Sequence, residues 1–209
     1  EVPGLSAAPT ARNAVLAAVL GALAGMTIAV FRGRSDDSVR SPESLEKLTG
    51  AGLLAEIPSE ARFKANPLIS FESDRTAAAE AFRDLRVNIR FLERSQGPRV
   101  LVVASAMPEE GRTATAVNLA LALADSGNNV AIVDGDLRRP RVARYLDLTE
   151  ETGLSTVLTG GGRLADVLRD TGRPRLTALT SGPIPSGPAE LLESRAATEV
   201  LNELGEQFD

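Results

Sequence analysis

An apolar run, Arg99–Ser105 (RVLVVAS), is followed by a glycine-containing loop, Ala106–Thr113 (AMPEEGRT), and then by an apolar stretch, 114–127 (ATAVNLALALADSG). This order constrains the chain more than any other feature. The run lies between Pro98 and small residues and predicts a buried parallel strand, and the stretch after the loop predicts a helix. A strand, a tight loop and a helix in that order form a phosphate cradle. Loop and first-turn N–H groups converge on an anion, and the helix N-terminus adds partial positive charge. Ala106, Met107, Pro108, Glu109, Glu110, Gly111, Arg112, Thr113 and Ala114 are the candidate nucleotide-binding residues. Arg112 is placed to reach phosphate, and the Thr113 hydroxyl to ligate magnesium. Two positions depart from the usual pattern: Ala106 replaces its first glycine and Arg112 its lysine. Arginine keeps the charge but presents a longer, planar fork. The alternative reading is an ordinary strand–helix turn with an exposed arginine.

A second motif strengthens the first. The strand-like Asn129–Val133 (NVAIV) ends in Asp134-Gly135-Asp136-Leu137-Arg138. Open α/β sheets bind ligands at the C-terminal ends of their parallel strands. Asp134 and Asp136, spaced i, i+2, leave an extended backbone on the same side. They can hold a magnesium water shell, orient a hydroxyl or accept a proton. Their mutual repulsion calls for a cation or Arg138 nearby. The alternative is a solvated acidic pair.

The chain has no cysteine and no histidine, so thiol chemistry is excluded and any metal must be a hard ion held by oxygens. Its net charge of -5 argues against nucleic acid as a partner. Between Arg12 and Arg32 lie 19 uncharged residues, NAVLAAVLGALAGMTIAVF, close to the length that spans the hydrocarbon of a bilayer. Pro3 and Pro9 precede the segment without a basic start, which disfavours a signal peptide. Gly21 and Gly25 make a weak helix-contact motif. Arg32, Arg34, Arg40 and Lys47 follow the span and only Arg12 precedes it, which places the remainder in the cytoplasm. The start at Glu1 and the stop at Phe208-Asp209 are expected of a piece cut from a longer chain.

Elsewhere, Pro42 opens a short helix closed by Thr49-Gly50, and Leu53, Leu54 and Ile57 predict a short strand. Ser73 or Asp74 caps a helix whose Ala78, Ala81, Phe82, Leu85, Ile89 and Leu92 recur at helical spacing. Glu80, Arg83 and Arg86 form a polar stripe on another face, read from spacing as a solvated face or a subunit contact. Short helices are expected over Arg141–Tyr145, Leu154–Leu158 and Leu164–Leu168. Arg175–Thr180 predicts another parallel strand. Pro188 opens a helix through Leu204, with Leu191, Leu192 and Leu201 as core contacts. The fold class is α/β with a parallel sheet, preceded by one transmembrane helix.

Taken together, these motifs resemble the bacterial tyrosine kinases fused to polysaccharide chain-length determinants. Glu80-x-x-Arg83-x-x-Arg86 is similar to that family's ring-assembly motif, Ala106–Thr113 to its Walker A, and VAIVDGDLRRP (130–140) to its second acidic motif. GLSTVLTG (153–160) and SGPIPSGPAELLES (181–194) also resemble family stretches, and SPESLEKLTGAGLLAEIP (41–58) the segment after the membrane helix. The resemblance implies a P-loop NTPase-type sheet, truncated here, with an extracytoplasmic end over 1–12, a transmembrane helix over 13–31, a juxtamembrane linker over 32–72 and a kinase-like domain over 73–209. It implies ATP and Mg2+ as cofactors and tyrosine phosphorylation in the control of exopolysaccharide or capsule chain length and export. Arg112, Asp134 and Asp136 become catalytic candidates, and Thr113, Asp134 and Asp136 metal ligands. The implied partners are further copies in a ring, the inner (plasma) membrane, the polysaccharide export machinery and a phosphotyrosine phosphatase. Two family features, a Walker B aspartate and a tyrosine tail, do not occur within these residues. The lysine replaced by Arg112 supports phosphoryl transfer in the family, so the resemblance also admits a non-catalytic co-polymerase subunit with a degenerate nucleotide site.

Overall fold

The computed structural model describes residues 7–34, 42–59, 67–92 and 100–209. The chain divides into two units, residues 1–53 and 54–209. The first unit contains α1 (Ala7–Arg34) and α2 (Pro42–Thr49). At 1.5 Å per residue the 28 residues of α1 extend about 42 Å. Its stretch Ala11–Arg32 has a mean hydropathy of 2.4 and no buried residue, so it is long and apolar enough to cross a membrane. Val15, Leu20, Met26 and Phe31 all lie open on its surface. In α2 the basic Lys47 sits in the last turn, where it complements the helix dipole.

The second unit is an α/β fold. Its elements are α3 (Ala77–Leu92), α4 (Arg112–Asp125), β1 (Val130–Val133), α5 (Val142–Leu146), α6 (Leu154–Leu158), α7 (Leu164–Val167), β2 (Arg169–Asp170), β3 (Leu176–Leu179), α8 (Pro188–Leu192) and α9 (Arg195–Gln207). The sheet order is β1-β3-β2. β1 and β3 pair in parallel with Val130 opposite Leu176, as their sequences predict. β2 joins β3 antiparallel, so the small sheet is mixed rather than wholly parallel. Side chains alternate across it. Ile132, Leu176 and Ala178 face one core with α3, α4 and α5, while Ala131, Val133 and Leu179 face a second with α6, α7 and α9.

The structure departs from the sequence expectations in several places. Val100–Ser105 forms no strand, and Val102 is 84% exposed. A strand is stable only when a neighbour takes up its backbone N–H and C=O groups. None of the described residues ladders with this run. A cavity of about 730 Å³ instead lies between Val100–Ala104 and β1, with Leu119, Leu201 and Phe208 in its walls. The chain's last residue meets β1's entry: the Asp209 N–H donates to the Asn129 carbonyl at 2.9 Å.

Leu53–Ile57 is not a strand either. Leu54, Ala55 and Ile57 pack on the first core, and Asn88 Nδ2 donates to the Leu54 carbonyl at 2.7 Å. α3 begins later than expected, with the Thr76 hydroxyl accepting the Ala79 N–H at 3.3 Å. The helix expected from Pro188 through Leu204 is two. It breaks at Glu193-Ser194, and the Ser194 hydroxyl restarts it by accepting the Ala197 N–H. The break rotates the apolar face, so Ala197, Val200 and Leu204 enter the core. Leu192 and Leu201 remain more than 40% exposed.

Candidate functional site

The loop Ala106–Gly111 enters α4 through two left-handed residues. Glu109 has φ 69° and Gly111, at the helix N-cap, φ 86°. A non-glycine residue such as Glu109 is uncommon there and carries some backbone strain. No side chain caps α4, so its first-turn N–H groups stay available to an anion. Inside the loop the Met107 N–H donates to Glu110 Oε2 at 3.0 Å. A carboxylate of the loop itself thus occupies one amide that a phosphate oxygen would take. The donor set therefore fits a phosphate group.

The second motif folds onto the first. The Arg112 guanidinium ion-pairs with the Asp136 carboxylate, 24 residues away, and both are half-buried. Asp136 Oδ1 also accepts the N–H groups of Arg138 and Arg139, at 3.3 and 3.0 Å. Arg112, not Arg138, is therefore the cation beside the acidic pair. Thr113 and Ala114 lie half-buried in the first turn of α4, and Thr113, like Arg112, Asp134 and Asp136, lines the cavity. Ala106, Met107, Pro108, Glu109 and Glu110 are exposed.

Asp134 has a different situation. It is 5% exposed. Its Oδ2 accepts the N–H groups of Arg141 and Val142, each at 2.8 Å, and its Oδ1 that of Asp136 at 3.2 Å. Asp134 therefore caps α5 and holds the turn between the two carboxylates. Of the two, Asp136 is the one that meets the loop. The described residues contain no cluster of three or more acidic, histidine or cysteine side chains suited to a metal. A magnesium ion here would take its ligands from Asp136, Thr113, water and the phosphates themselves.

The stripe on α3 is largely engaged within the chain. Arg83 bonds Glu80 Oε1 at 2.6 Å and the carbonyls of Phe71 and Asp74, and its guanidinium lies 5.6 Å from the Phe71 ring centre. Arg86 Nη1 reaches the Ala122 carbonyl at 3.2 Å, near the end of α4. Glu80 points outward.

Sequence reasoning missed Asn118. It is buried, donates to the carbonyls of Pro67 and Ala114 and accepts the Ile69 N–H at 2.9 Å. It thereby straps segment 67–69 onto α4. The available signal was one amide in an otherwise apolar helix, since such a group needs partners when buried.

A family profile described as "ATPase MipZ" matches residues 99–164. The chain is 34% identical over 142 residues to "Tyrosine-protein kinase YwqD" of Bacillus subtilis, a match that covers 68% of this chain and 60% of that relative. It spans only 28% to 30% of longer curated relatives of the same description. Among solved structures it is similar to the chimerical protein CapA2B2, with 33% identity and a TM-score of 0.72 over 80% of this chain and 72% of the other. The kinase domain of the Escherichia coli tyrosine kinase ETK gives 27% identity and a TM-score of 0.73, covering 82% and 71%.

Proposed function

The α/β unit of this chain is a domain of the bacterial tyrosine-kinase family, and on that premise we propose that the whole protein is an ATP-dependent protein-tyrosine (auto)kinase controlling exopolysaccharide or capsule chain length and export. The observation that carries this reading is the meeting of Arg112 and Asp136. Two motifs far apart in sequence converge on one point, with an uncapped helix N-terminus beside it. ATP with magnesium, when bound, supplies the phosphoryl group and the charge that holds it. The loop amides and Arg112 bind the phosphates, Thr113 and Asp136 take the metal side, and Asp136 orients or deprotonates the acceptor hydroxyl. Asp134 keeps Asp136 in place. Positioning and electrostatics are the main contribution a protein makes to such a transfer.

In the same proposal, α1 anchors the protein in the inner membrane with the α/β unit in the cytoplasm. The Glu80, Arg83 and Arg86 face contributes to a ring of copies, working with export components and a phosphotyrosine phosphatase. A second reading, a non-catalytic co-polymerase subunit, is favoured by one observation: Arg112 stands in the lysine position and is held by Asp136. Labelled ATP and magnesium, followed by phosphotyrosine mapping on the full-length protein, separates the two. Phosphotyrosine supports the kinase. Nucleotide binding without it, restored to transfer by Arg112→Lys, supports a weakened loop. Binding with no transfer in either form leaves the co-polymerase reading.

A further inference from the structure

Four arginines fall within the seven residues 138–144, just after the two aspartates: Arg138, Arg139, Arg141 and Arg144. All four are exposed, and none makes an ion pair or side-chain hydrogen bond among the described residues. This is unusual for the unit. Arg83, Arg86, Arg90, Arg112, Arg163, Arg169, Arg175 and Arg195 each have a partner within the chain. Arg75 and Arg173 lack one, but they stand apart in the sequence from the four and from each other. The four arginines, close together in sequence, belong to a chain of net charge -5, so they are not the overflow of a basic surface.

Their position is fixed. The N–H groups of Arg138 and Arg139 bind Asp136, and that of Arg141 binds Asp134. The backbone of this ledge is therefore tied to the two carboxylates, while its side chains are free. We propose that the ledge formed by Arg138, Arg139, Arg141 and Arg144 docks an acidic peptide, and that carboxylates flanking a tyrosine are what it recognises. The inference rests on the kinase reading for the identity of the acceptor, but the docking itself does not require turnover. Clustered arginines recognise acidic motifs through charge-assisted, forked hydrogen bonds. A peptide held there passes beside Asp136, where an acceptor hydroxyl has to arrive. An anionic membrane is the poorer occupant. Leu137, Val142, Ala143 and Leu146 are all buried, so the ledge presents charge without an apolar surface to insert.

The test uses the full chain in neutral detergent and two fluorescein-labelled peptides, one with tyrosine flanked by glutamates and one with tyrosine flanked by serine and glycine. Fluorescence anisotropy is expected to show at least tenfold tighter binding of the glutamate peptide, weakening as salt rises. The triple variant Arg138→Ala/Arg139→Ala/Arg144→Ala loses that preference and keeps ATP–magnesium binding. The corresponding triple lysine variant retains most of the preference, which separates lost charge from lost folding. Equal affinity for both peptides overturns the proposal. So does a triple alanine variant that loses nucleotide and peptide together while the lysine variant keeps both, because the ledge would then serve the nucleotide. Binding to vesicles containing 30% phosphatidylserine, in the absence of peptide preference, also overturns it. Peptide preference without phosphotyrosine in the full-length protein leaves the ledge standing and removes the kinase. Phosphotyrosine without peptide preference does the reverse.

Discussion

The two halves of the candidate site contrast in how they are held. The half built on β1 is laddered to β3, backed by two cores and closed by Asp134, which takes three backbone N–H groups. Among the described residues, the half built on Val100–Gly111 is anchored where α4 begins. Its apolar run has no ladder partner among the described residues and borders a cavity. The first half therefore carries a preformed geometry. The second borders an open cavity and meets the first through Arg112, which pairs with Asp136. One side of the candidate site is thus fixed by the fold, and the other is held mainly by the start of α4.

The contrast can be broken most directly by hydrogen exchange. Amides of Val100–Val103 are expected to exchange roughly a hundredfold or more faster than those of Val130–Val133, because only the latter need a cooperative opening. Equal protection would end the comparison. Next in size, Asp134→Ala strands three N–H groups and is expected to lower stability by about 3 kcal/mol in urea denaturation. Ala106→Gly in the exposed loop should leave the urea midpoint almost unchanged. Gly153→Ala tests the well-held half at its closest approach. An added Cβ would lie 2.2 Å from the Thr180 carbonyl oxygen, at the point where the Leu154 N–H bonds that same carbonyl. Overpacking there is expected to cost about 2 kcal/mol, read as a lower melting temperature. Asp136→Ala is a small stability change, within about 1 kcal/mol, because the Arg112 pair is half-exposed. It should nevertheless remove the magnesium dependence of nucleotide binding in calorimetry, whereas Asp134→Asn should retain more of it.

The elements that the sequence made legible are those whose signals are local. The helices at 112–125 and 154–158 follow apolar patterning and glycine punctuation. β1 and β3 are short β-rich runs, and the glycine-containing loop before α4 and the DGD motif are recognisable from residue type and spacing. Leu192 and Leu201 were misread because a hydroxyl at Ser194 restarts the helix and turns its face. Val100–Ser105 has a strand's composition, but composition supplies no hydrogen-bonding neighbour. The roles of the two aspartates look alike in sequence, since both follow β1 by one or three residues.

By itself, then, the sequence determined an α/β chain with a phosphate-type loop, an acidic pair and one helix apolar enough to span a membrane, because each of these is written in periodicity or in short-range spacing. Only the tertiary structure decided that Asp134 is a buried cap while Asp136 meets Arg112. Only it decided that Asn118 straps segment 67–69 to α4 and that, among the described residues, the apolar run before the loop finds no ladder partner. Each of these depends on which distant backbone groups arrive within hydrogen-bonding distance, and no local pattern records that.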